Sequence, residues 1–133
     1  MKIFCGLFLC ISSALGLFHF QTAAPKRGPR TIPMDCASGD CPLLKGAPQT
    51  AGLRSGFVRL KPGESVGWHT TGENKETLVI LHGKGEALIE DAAGMPVTER
   101  VVAYIPPATR HNVKNTGTDA LEYVYVVAPA ADK

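Results

Sequence analysis

From Leu53 to Ala128 the chain consists of short runs rich in β-branched and aromatic residues: LRSGFVRL, ESVGWHT, ETLVILHG, GEALIED, TERVVAYIP, RHNVKN and LEYVYVVA. Turn-forming sequences separate them, among them Pro-Gly, Gly-Glu-Asn-Lys, Gly-Lys-Gly, Ala-Ala-Gly and Asn-Thr-Gly. No run sustains the 3.6-residue period of a helix. Seven or so closely spaced strands leave no room for crossover helices. The pattern therefore predicts an all-β, mainly antiparallel sandwich or barrel of the jelly-roll kind.

Residues 51–130 supply enough chain for one such core. Residues 25–50 hold most of the remaining prolines and little periodicity, and read as an extended arm laid over the domain. Residues 1–24 differ again. Lys2 precedes an apolar run from Ile3 to Phe20, followed by the small residues Thr22, Ala23 and Ala24, which is the pattern of an export signal. Pro25 is a poor residue after a cleavage site, so a retained membrane anchor is the alternative.

Cysteine usage agrees with export to a periplasmic or secreted location. Cys5 and Cys10 would leave with the signal, so that the mature chain keeps Cys36 and Cys41. In an oxidising compartment the short loop between them closes into a disulfide, adding about 2 kcal/mol of chain-entropy stabilisation. The rivals are a redox pair or half of a zinc site. Neither fits as well, because the spacing is not C-x-x-C and no second pair completes a tetrahedral set.

The 133 residues are 44% hydrophobic and 20% charged, with a formal net charge of +2. So mild a balance argues against a nucleic-acid groove. The one basic cluster, Lys26, Arg27 and Arg30, sits in a Pro/Gly-rich stretch and reads as solvated linker. No G-x-S-x-G elbow is present, and Gly83-Lys84-Gly85 is a hairpin turn and not a phosphate loop, so no nucleotide cofactor is indicated.

The candidate chemistry lies in GESVGWHTTGENKETLVILHG, Gly63 to Gly83. His69 and Thr71 would share one strand face, the Gly72-Glu73-Asn74-Lys75 turn reverses the chain, and Glu76 then faces back toward His69. His111, on a later segment, returns as a neighbouring strand. Taken singly, each histidine reads as a hydrogen-bonded interior residue and Glu76 as an exposed hairpin carboxylate. Jointly, His69, Glu76 and His111 point to a divalent metal site.

These residues carry a family likeness. Gly63, His69, Thr71, Glu76 and Gly83 fall at the places of the first cupin motif, and Pro106, Ala108, His111 and Asn115 are similar to the second. The resemblance implies a cupin jelly roll, with a metal inside the barrel on the motif histidines and glutamate. Three residues depart from the motifs: Thr71 stands for a histidine, and Ala108 and Arg100 stand for glycines. The loss at Thr71 leaves three protein ligands. Two imidazoles and a carboxylate suit open sites for iron or zinc, and manganese or nickel are further candidates.

Two functions follow from the resemblance. One is a metal-dependent enzyme, an oxygenase, isomerase or lyase, acting on a small molecule; the other is a non-catalytic module for a sugar-like ligand. Tyr123 and Tyr125 share a strand face and are candidates to reach a bound ligand, with packing as their more ordinary role. Arg59 would pair with an anion only if it faces inward. Trp68 and Tyr104 read as outer packing or interface, His82 as surface, and Asn112 and Asn115 as turn or supporting groups. A homodimer through barrel edges is a further expectation.

Overall fold

A computed structural model of the chain describes residues 28–130. The expected export segment, residues 1–24, lies outside the described residues. Eight strands run in order: β1 (Gly39–Lys45), β2 (Arg54–Leu60), β3 (Asn74–His82), β4 (Lys84–Ile89), β5 (Met95–Thr98), β6 (Val102–Ile105), β7 (His111–Asn115) and β8 (Leu121–Pro129). They form a five-stranded sheet, β1-β2-β8-β3-β6, and a three-stranded sheet, β5-β4-β7. Every pairing is antiparallel. This is the all-β jelly roll that the apolar pattern predicts, and no helix occurs among the described residues.

Strand alternation builds the core. Val58 and Leu60 of β2, Leu78 and Ile80 of β3, Ala87 of β4, Val97 of β5, Ala103 of β6, Val113 of β7, and Leu121 and Tyr123 of β8 form one buried cluster between the sheets. Each fully buried branched side chain contributes about 1.5–3 kcal/mol relative to exposure. Because strand parity is strict, the residues that continue these inward series toward the barrel mouth must also point inward. On β3 that residue is Glu76, and on β2 it is Arg54.

Three segments differ from the sequence expectation, each for a local reason. The run ESVGWHT makes no regular strand and is joined to the sheet only by the bridges Ser65↔Lys114 and His69↔His111. Glycines with positive φ, Gly63 (82°) and Gly67 (89°), bend it, and its residues are mostly exposed. TERVVAYIP divides into β5 and β6 because the chain crosses from one sheet to the other at Arg100, whose φ is +67°. Finally, Gly39–Lys45, expected in the arm, pairs with β2 as an edge strand. Pro42 is tolerated there because an edge strand leaves one row of backbone groups unpaired, and the register shifts between Pro42 and Leu44. Cys36 and Cys41 are joined, with Cα atoms 5.9 Å apart, at the start of this strand.

Close contact requires glycine at several positions, Gly83 and Gly56 among them. A Cβ on Gly83, whose φ is +81°, would lie 2.3 Å from the carbonyl oxygen of Ala120. A Cβ on Gly56 would lie 2.5 Å from the ring of Tyr125, its cross-strand partner. The absent side chain at Gly56 is thus what lets the tyrosine lie flat across β2.

Candidate metal centre

The backbone brings the two histidines together. His69 N donates to His111 O and His111 N donates to His69 O, both at 2.9 Å. Directly opposed residues of such an antiparallel pair carry their side chains on the same face. The two imidazoles accordingly stand side by side, with ring centroids 4.3 Å apart. Glu76 arrives from β3, two residues before inward Leu78, in the other sheet. One potential ligand atom from each of His69, Glu76 and His111 lies within 4.8 Å of the others.

Hydrogen bonds select the tautomers. His69 Nδ1 lies 3.0 Å from Gly67 O, and His111 Nδ1 lies 3.1 Å from Thr109 O. A carbonyl only accepts, so each Nδ1 carries the proton and each Nε2 keeps a lone pair, the arrangement that readies an imidazole for a metal. The loop holding His69 is itself anchored, because Gly67 N donates to Asn112 Oδ1 at 2.9 Å. Asn112 is buried, which makes this bond a fixed support for the carbonyl that orients His69.

The electrostatics are unusual for an interior. His111 is fully buried and Glu76 is 4% exposed, with His111 Nε2 and Glu76 Oε2 3.2 Å apart. Despite that distance, the two atoms lack hydrogen-bond geometry, and neither has another partner. Buried polar atoms without partners cost about 1–3 kcal/mol each. A proton on His111 relieves this in part. Burial by itself lowers the His111 pKa, but the Glu76 carboxylate and the Thr109 carbonyl outweigh it and raise the pKa above its ordinary 6.5. A divalent cation would relieve it fully: ligands about 2.1 Å from an ion stand about 3.0–3.4 Å from each other, the spacing His111 and Glu76 already have. His69, exposed at the rim, would complete the set by a small ring movement.

The three residues open onto a cavity of about 360 Å³. Thr71 lines it, but its Oγ1 donates to Asn74 O in the hairpin turn, so the motif position usually held by a histidine serves local structure here. Tyr123 and Tyr125 also line it. Burial, followed by the charge of Glu76, pushes the Tyr123 phenol far up, and burial with Asp40 pushes Tyr125 up to about 12. Both phenols stay protonated and can donate. Tyr125 Oη reaches Asp40 Oδ2 at 3.5 Å.

Other sequence candidates lie elsewhere. Arg59 faces outward and pairs with Glu122 at 3.2 Å. Trp68 is 45% exposed, with the Arg110 guanidinium 5.5 Å above its ring. His82 is exposed and pairs with Glu99, and Tyr104 is exposed on the edge strand β6. Asn115 is a turn residue, donating to Leu60 O and Asp119 O and accepting from Gly117 N. The sequence reading missed Arg54, Asp40 and Lys45 in the cavity wall. For Arg54 the signal was present, since it shares parity with inward Val58 and Leu60, whereas β1 carries no comparable pattern.

The chain is similar to known proteins in ways that agree with this geometry. It is 34% identical over 79 residues to a carboxynorspermidine/carboxyspermidine decarboxylase of Campylobacter jejuni, a match covering 53% of this chain and 21% of that protein. The chain therefore spans about a fifth of the curated relative's length. Among solved structures, an RmlC-like cupin family protein with a double-stranded β-helix fold from Methanocaldococcus jannaschii superposes with a TM-score of 0.66 at 20% identity, covering 76% of this chain and 91% of that one. A Cupin 2 conserved barrel domain protein from Salinispora arenicola gives a TM-score of 0.60 at 24% identity, covering 81% and 92%. The model of the Cupin_2 family, described as a cupin domain, matches residues 56–127, more than half of the chain. With that match and the double-stranded β-helix in place, the chain belongs to the Cupin_2 family.

Proposed function

We propose that the barrel binds one divalent metal ion on His69 Nε2, Glu76 and His111 Nε2 and uses it as a metal-dependent enzyme on a small molecule held in the cavity. One observation carries this reading: His111 Nε2 and a carboxylate oxygen of Glu76 lie 3.2 Å apart, buried and without hydrogen-bond partners. Folding gains nothing from that arrangement unless a cation sits against it.

When bound, the ion would act as a Lewis acid on a ligand oxygen or as a site for dioxygen, and iron, manganese, zinc and nickel all suit the donor set. The chain's own residues do the rest. Glu76 and His111 are fixed by burial, while His69 forms the accessible side of the site. Thr71 adds no fourth protein ligand, so coordination positions stay open for substrate. Tyr123 supplies a protonated phenol that donates to a ligand oxygen, and the apolar walls at Val58, Val66, Val113 and Val127 exclude water from it.

Elemental analysis of the purified chain tests the proposal. About one divalent ion per chain is expected, with loss in both His69→Ala and His111→Ala. Equal metal content in those variants, or no uptake of any of the four ions by the wild type, overturns it.

A further inference from the structure

The cavity wall carries two cations where sheet physics disfavours them. Lys45 and Arg54 are directly opposed across β1 and β2, and both line the cavity that holds the histidines and Glu76. Like charges directly opposite on paired strands destabilise a sheet. Among the described residues, neither side chain has a carboxylate within ion-pair distance. Asp40, the acidic neighbour in the same wall, is engaged by Tyr125. Arg54 also lies over Gly46, where a Cβ would sit 3.2 Å from its Cγ, so its stem follows the backbone at the cavity mouth.

We propose that Lys45 and Arg54 form the recognition end of the cavity, binding a carboxylate of a small organic acid whose other end reaches the histidine–glutamate centre. Arginine presents a planar fork that matches a carboxylate with two parallel hydrogen bonds, and the lysine adds a compact second charge. An anion between them turns the cross-strand repulsion into attraction. The phenol of Tyr123 lines the same cavity and donates to a ligand oxygen, while Tyr125 holds Asp40. With a divalent ion bound, the cavity lining is net positive, so it favours acids over sugars or amines. β1 is thus part of the binding site, held to the barrel by its pairing with β2 and tied at its start by the Cys36–Cys41 bond.

This inference deepens the metal-centre reading and rests on it for the inner end of the ligand; the cationic end stands without it. The probe is succinate, a four-carbon dicarboxylate, with butane-1,4-diol as its uncharged counterpart. Both are titrated calorimetrically at constant ionic strength into the full mature chain, metal-loaded and chelator-stripped. Wild type is expected to bind succinate at least ten-fold more tightly than the diol. Arg54→Gln and Lys45→Gln should each weaken succinate about ten-fold or more, with metal content unchanged and the unliganded melting temperature equal or higher, because the like-charge pair is relieved. Succinate binding that is absent, or unchanged in both variants, overturns the proposal even if metal is bound. Arg54-dependent succinate binding in a chain that takes up no metal supports the cationic end and instead overturns the metal reading.

Discussion

Replacing Glu76 by glutamine tests the reasoning most sharply, because its effect on stability should depend on pH. In metal-free protein at high pH, His111 is neutral with its proton on Nδ1, so its Nε2 lone pair faces a carboxylate oxygen 3.2 Å away. A glutamine amide at that place can donate to Nε2 and satisfy both orphaned positions, a gain of about 1–3 kcal/mol. Below the ordinary histidine pKa the wild type recovers ground. His111 has its pKa raised by the fold, so its protonation stabilises the wild type below 6.5, and that contribution is lost as pH rises through the folded-state value. At pH 6 the variant lacks this contribution, because without the carboxylate burial keeps His111 neutral, so its advantage over the wild type is smaller at pH 6 than at pH 9. Urea unfolding in chelator at pH 6 and pH 9 reads this difference directly as unfolding free energy. Added divalent metal should stabilise the wild type by about 2.7 kcal/mol at a hundred-fold excess over its Kd, and Glu76→Gln not at all. An effect of the variant that is the same at both pH values, or an undiminished metal response, would refute the argument that Glu76 is set against His111 to hold a cation.

Two further variants probe positions where the chain departs from the cupin motifs. Thr71→His adds a potential fourth ligand at a residue already lining the cavity, and should slow metal loss to a chelator; unchanged loss would mean that position 71 does not reach the ion. Ala108 has a φ of +56°, a left-handed conformation costing about 1–2 kcal/mol for an L-residue, whereas glycine costs only about 0.5–1 kcal/mol more than alanine in backbone entropy. Ala108→Gly is therefore expected to stabilise the chain by roughly 0.5 kcal/mol in urea unfolding, and a loss of stability would contradict it.

Much of the architecture was legible along the chain because strand parity is local. Leu78 and Ile80 face the core, so Glu76 must face it as well, and the Gly72–Lys75 turn returns Glu76 toward His69 without long-range information. The same arithmetic applied to β2 would have set Arg54 inward and Arg59 outward, as observed. Other features had no local signature. β1 becomes a strand only because the edge of β2 is available to it, and its proline and bulge disguise the period. The split of TERVVAYIP depends on two strands belonging to different sheets.

By itself, the order of residues determined the all-β class, the inward series, and the three side chains able to meet at a cation, because these depend on a two-residue period and on turn chemistry. Only the tertiary structure decided that His69 and His111 are hydrogen-bonded opposites, that Glu76 and His111 lie buried against each other without hydrogen-bond partners, and that Lys45 opposes Arg54 at the cavity mouth. Those facts arise from pairing between segments tens of residues apart, where register, and not sequence spacing, sets which atoms meet.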